Sequence, residues 1–268
     1  MQNKKKTKKT KIVRKPYQRG ALLDAGSFKQ ALKVAGTLLM TYFIYLVVGA
    51  MLVWNSLFLR LLTNGVMVLL GCGLLYANGL NVGVADVTFG EIIYQRREEG
   101  KPVSAADVKR CYHPLKGFAS ALLGTVPFLL ACLCLAFTAQ LQTFSLGMLP
   151  SWLQTLERRP EIGEALAYYH EGIQMGFVDY VRVAVRIMVM PFVNMAGSGN
   201  AQAMLWVERL SPLLCLLSPA AFGLGYLKGY EARTQVHTHI AANTRKKKRQ
   251  EKKKIAQRKA PKGPEQLI

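Results

Sequence analysis

The sequence predicts an all-α fold: a polytopic membrane bundle of four transmembrane helices, with an amphipathic outer helix and basic cytoplasmic tails. Three observations predict it. Between Val34 and Ala85 lie 52 residues with one charged side chain, Arg60, leaving charge-free runs of 26 and 25 residues, and a bilayer's hydrocarbon core needs roughly 20 apolar residues per helix. From Gly117 to Leu156 another 40 residues carry no charge. The formal charge of +21 sits at the ends: residues 1–20 hold nine Lys/Arg and no acid, and residues 228–268 hold thirteen against three Glu. The basic character therefore describes two tails, not a folded surface.

The N-terminal region, residues 1–33, opens with a stretch to Gly20 that has nothing to bury and reads as disordered or surface-bound. Ala21 to Lys33 places Leu22, Leu23, Phe28 and Leu32 among polar residues, an amphipathic lead-in along the interface. Its long basic region and uninterrupted apolar run predict an uncleaved first span, not a secretory signal. That span is 34–54, with Trp54 at its far edge, and a turn over Trp54 to Leu62 leads into the second, 61–83. Gly79 and Gly83 have the four-residue spacing that lets helices approach closely in lipid, either within the chain or at an oligomer face.

The connector 84–116 carries six basic and five acidic residues. It reads as a helix leaving the membrane, broken at Gly100-Lys101-Pro102, then a second short helix begun by Ser104 at capping-box spacing from Asp107. Such a pair of helices is either a docking surface for a protein partner or a solvated connector. The third span, 117–140, has Gly117, Ala121 and Gly124 on one face and Pro127 as a kink site.

The region 141–202 reads as an outer loop followed by an interfacial helix. Residues 157–180 carry a net charge of −3. In Ile173 to Asn194, Asp179, Arg182 and Arg186 recur at i, i+3 and i+7, a polar stripe opposite Val181, Val185, Met188 and Phe192. This pattern predicts a helix lying flat, with its arginines at the headgroups, or a re-entrant pair turning at Gly197 and Gly199. The last span, 203–227, contains Ser218-Pro219 and leads to Gly225 and Gly229. Residues 231–268 form the second basic tail, with ten Lys/Arg between positions 245 and 259: Arg245, Lys246, Lys247, Lys248, Arg249, Lys252, Lys253, Lys254, Arg258 and Lys259.

Positive charge beside spans stays on the cytoplasmic side, so two basic ends require an even number of crossings in a multi-pass protein of the cell membrane; a hairpin followed by a helical connector is similar in layout to small bacterial inner-membrane proteins. The five cysteines (Cys72, Cys111, Cys132, Cys134 and Cys215) offer no disulfide framework, and Cys132 and Cys134 would point about 200° apart on a helix of 3.6 residues per turn. Ala196-Gly-Ser198-Gly199 lacks the first glycine of an intramembrane serine-protease motif, and no histidine follows it in a later span. His237-x-His239 has no further ligands nearby, and there is no phosphate-binding Gly-x-x-x-x-Gly-Lys-Ser/Thr loop. No catalytic residue, cofactor or metal is expected.

The expected function is that of a non-enzymatic scaffold or accessory subunit of a membrane complex. Its partners would be a protein at 84–116 and anionic lipid headgroups at the tails, through the ten basic residues. The alternative is a transport or membrane-protein-insertion component. A polytopic chain with a basic cytoplasmic tail is similar in layout to membrane-protein insertases, and that layout implies contact with the ribosome or RNA through the tail.

Overall fold

The computed structural model describes residues 12–52, 54–141, 176–197 and 200–259. The expected outer loop, the greater part of the acidic segment 157–180 and Ser198 lie outside the described residues. Among those residues the chain is all-α, and four of its helices are long and apolar enough to cross a membrane. In chain order the helices are α1 (Ala25–Met51), α2 (Leu57–Glu98), α3 (Ala105–Arg110), α4 (Lys116–Thr138), α5 (Phe177–Met188), α6 (Met190–Ala196) and α7 (Ala201–Lys259).

α1 begins at a reciprocal cap. Asp24 Oδ1 accepts the Ser27 N–H at 2.8 Å, and Ser27 Oγ accepts the Asp24 N–H at 3.2 Å. With nothing between Ala25 and Val34 strong enough to break the helix, the expected interfacial lead-in is instead the first turns of the spanning helix itself. α2 corrects a second boundary. It runs 42 residues without interruption, about 63 Å at 1.5 Å per residue, so the second span and the helix expected beyond it are one rod. That rod stops where Gly100 takes φ 71°, the left-handed conformation that ends helices, just ahead of Pro102. Ser104 then caps α3, its Oγ accepting the Ala106 N–H at 3.3 Å.

α5 has 12 residues, about 18 Å of helix against roughly 30 Å of hydrocarbon, too short to cross alone. Val189 separates it from α6, Pro191 opens α6, and Gly197 at φ 80° turns the chain toward α7. α7 carries 59 residues through Pro212 and Pro219, a length of about 88 Å.

Small residues set the packing. A Cβ on Gly79 or Gly83 would run into the backbone carbonyls of Phe222 and Tyr226, and one on Gly225 into that of Tyr76. Gly229 likewise abuts the backbone of Gly83. α2 and α7 are thus backbone to backbone and run in the same direction. Gly124 packs on the backbone of Ala31 and Gly117 on the Tyr226 ring, while Ala121 is buried in the core with Leu38, Tyr42, Phe128 and Leu135. Ser211 facing Cys132, with Gly117 facing Tyr226, makes α4 antiparallel to α7. Two ends result. The tail end gathers residues 12–24, the end of α2, α3, the start of α4 and the far half of α7. The turn end gathers the α1–α2 turn, α6 and the start of α7.

Candidate functional site

Charge collects at both ends of the bundle, in different arrangements. Near the turn end, α5 presents Asp179, Arg182 and Arg186 to the bundle and not to its surroundings, which overturns the expected outward stripe. Arg186 donates to Glu208 Oε1 from Nε at 2.9 Å and from Nη2 at 2.6 Å. The Arg182 Nε lies 3.3 Å from the same oxygen, and its Nη1 donates to Asp179 Oδ1 at 3.1 Å. Arg182 and Glu208 are only 2% and 3% exposed. The reason is Glu208: a carboxylate seven residues into α7 would be buried and unpaired, and two arginines with one further acid bring the group to neutrality. Helical spacing grouped the three α5 residues correctly but gave no indication that their partner lay on α7.

Val185, between the two arginines, is fully buried and belongs to the core cluster. Farther along, the Asn194 amide donates to the Gly49 carbonyl at 2.8 Å and to Asn64 Oδ1 at 3.3 Å, while the Arg60 guanidinium lies against Gly197. Polar side chains thus tie α6 to α1 and α2 at their turn-end edges.

At the tail end, residues 12–24 form an extended strap, although composition alone gave them nothing to bury. The Gln18 N–H donates to the Gly90 carbonyl at 3.1 Å, Gly20 to Tyr112 at 3.0 Å and Ala21 to Lys109 at 3.1 Å. The absent side chain of Gly90 makes room, since a Cβ there would stand 2.9 Å from the Gln18 oxygen. Tyr17 inserts between Tyr112 and Tyr230, at centroid distances of 6.0 and 5.2 Å, and Tyr112 stacks on Tyr226 at 5.2 Å with planes 12° apart. The Tyr226 hydroxyl donates to Asp86 Oδ2 at 2.7 Å and the Tyr112 hydroxyl to the Leu227 carbonyl at 3.1 Å. Burial, with Tyr17 and Glu231 nearby, pushes the Tyr112 phenol up to about 12, so it stays a donor.

Two ion groups brace this platform. Lys116 Nζ, 2% exposed, donates to the Arg110 carbonyl at 2.9 Å and sits 3.4 Å from Asp24 Oδ1. Burial pulls the Asp24 carboxyl upward, but Ser27 and the Lys116 ammonium outweigh it and hold the group below the ordinary carboxylate range. Glu91 on α2 takes Arg233 Nη2 at 2.9 Å and His237 Nε2 at 2.7 Å, both from α7. An open cavity of ≈ 330 Å³ lies between strap and α7, lined in part by Ile12, Arg14, Tyr230 and His239.

On the connector, Ile92, Gln95, Arg96, Lys101 and Ala105 are exposed. On α7, Arg245, Lys246, Lys247, Lys248, Arg249 and Lys252 are exposed, and Lys253, Lys254, Arg258 and Lys259 follow on the same helix. The cysteines are free thiols. Among the described residues, no group of three or more His, Cys, Asp or Glu is placed to hold a metal ion. The chain matches no protein-family model, and neither the curated proteins nor the solved structures contain a significant match to it.

Proposed function

We propose that this chain is a non-enzymatic membrane scaffold or accessory subunit, with both termini in the cytosol and a protein partner docking on the connector 84–116. The observation that carries the reading is the bracing of that connector. Glu91 ties α2 to α7, Tyr17 bridges Tyr112 after α3 to Tyr230 on α7, and Lys116 at the start of α4 joins the last carbonyl of α3 to the Asp24 cap of α1, while Gln95, Arg96 and Ala105 remain exposed at the tip. A surface ordered in advance loses less entropy when a partner binds. Orientation follows from the basic ends, which stay on the cytoplasmic side, and α5 lies at the outer side of the bundle.

The test is photo-crosslinking in cells, with a photoreactive residue at Gln95, Arg96 or Ala105 and a control at the exposed, apolar Leu69. One discrete protein adduct from the tip positions, missing from Leu69, supports docking; identical adduct patterns from all four positions refute it. The alternative, a transport or insertion component, draws on the Arg182–Glu208 group, because ionisable residues within spans often mark paths. That reading requires Val185→Cys to react with a water-soluble maleimide from outside, whereas a packed scaffold leaves this position unreactive.

A further inference from the structure

We propose that the basic segment of α7 binds the phosphate backbone of RNA in the cytosol, and does not bind the membrane beneath it. The inference rests on the scaffold reading for the side on which α7 emerges. It starts from the straight course imposed on α7 beyond its span. Gly229 abuts Gly83, and Glu91 holds both Arg233 and His237. The Val13 N–H donates to Thr238 Oγ1 at 3.2 Å. α7 is therefore tied to the α2 rod through His237 and to the strap at Thr238, well past the end of the apolar stretch at Leu227.

Counting from Leu227, Arg245 stands about 27 Å and Lys259 about 48 Å along the helix at 1.5 Å per residue. Headgroups extend only about 5–7 Å beyond the hydrocarbon, and screening at physiological salt acts over about 8 Å. Even a rod tilted by about 30°, within the range of spanning helices, leaves the basic run outside the attraction of the bilayer that anchors it.

The surface of the run identifies the ligand. Arg245, Lys246, Lys247, Lys248 and Arg249 occupy consecutive positions, so positive charge surrounds the helix. From Arg245 to Lys254 there is no apolar residue. A protein partner needs an apolar or aromatic anchor, and protein interfaces are depleted in lysine. Binding to a nucleic-acid backbone needs only the charge, through release of counterions. Arg245 and Arg249, like Lys248 and Lys252, repel each other at i, i+4, and a polyanion would relieve that repulsion. No aromatic residue interleaves the run, so recognition is indifferent to base sequence.

The experiment places the full chain in nanodiscs of phosphatidylcholine, with and without 30% phosphatidylglycerol, and titrates a labelled 20-nucleotide RNA. The comparison protein carries Arg245, Lys246, Lys247, Lys248, Arg249 and Lys252 all replaced by Gln. The wild type should bind in both discs with affinities within about threefold, and equally for mixed-sequence and uridine-only RNA. Six phosphate contacts on single strands contribute about 4 to the slope of log affinity against log salt, or roughly 300-fold between 50 and 200 mM, and the six-Gln protein should lose that share. Equal binding by both proteins overturns the proposal. So does loss of RNA binding in the phosphatidylglycerol discs, which would assign the run to lipid, or displacement by equimolar polyglutamate, which would assign it to an acidic protein. Nanodiscs expose both faces, so this result is independent of orientation. The side of the membrane is read separately, by labelling Asn243→Cys in intact cells with an impermeant maleimide.

Discussion

At the scale of single residues, the buried charges are the most exacting feature. Glu208 serves two arginines at once, so Glu208→Ala strands both guanidinium groups where water is scarce. Breaking a buried pair in this way costs about 3–5 kcal/mol, and thermal unfolding in detergent should show it; a variant melting within a degree of wild type would mean the group is hydrated. Asp24 supplies a pH dependence whose sign is fixed. Its carboxyl is lowered in the folded chain, so the stabilisation is complete above the ordinary carboxylate range and disappears as pH falls through the lowered value. Acidification should therefore free the strap, seen as lower protection factors at Gly20 and Ala21 once the intrinsic pH dependence of exchange is divided out. Asp24→Asn should show that lower protection already at neutral pH and change little with acid. From sequence, Ala21 to Lys33 read as an interfacial lead-in with no role for Asp24, and its pairing with Lys116 joins positions 92 apart, which no local pattern encodes.

Among the elements, the α2–α7 crossing is the joint on which the others depend. Gly83→Leu would force a side chain into the Tyr226 backbone, whereas the space around Gly73 is open. The first substitution should broaden or shift the gel-filtration peak of the detergent-solubilised protein, and Gly73→Ala should leave it unchanged. A normal profile for Gly83→Leu would disprove the close crossing. The spacing of Gly79 and Gly83, and of Gly225 and Gly229, was readable in the chain, and so were the break at Gly100 and the cap at Ser104. What could not be read was the continuity of α2. Charged residues beyond Gly83 suggested a new helix, but nothing there breaks one, and α7 together with the strap supplied contacts for another four turns. α5 was misjudged for a related reason: periodicity shows that charges share a face and is silent on whether a carboxylate waits opposite.

For the whole molecule, two parallel pairs of helices bring entry and exit of the chain to one end. Apolar length alone conveyed the four long helices, and the strap of residues 12–24 meets the far half of α7 at one end of the bundle. Impermeant labelling at Asn243→Cys should fail in intact cells and succeed after permeabilisation, whereas Asn55→Cys in the α1–α2 turn should label in intact cells already. Labelling of both positions in intact cells would rule out four crossings.

The unbroken run of α7 from lipid to position 259 also makes it a lever. Spanning helices answer a thicker or thinner bilayer by changing tilt, and about 48 Å of stiff rod beyond the fulcrum converts a 10° change into roughly 8 Å of travel at the tip. Any change in the tilt of α7 is thereby carried to its charged tip, with no hinge required along the way.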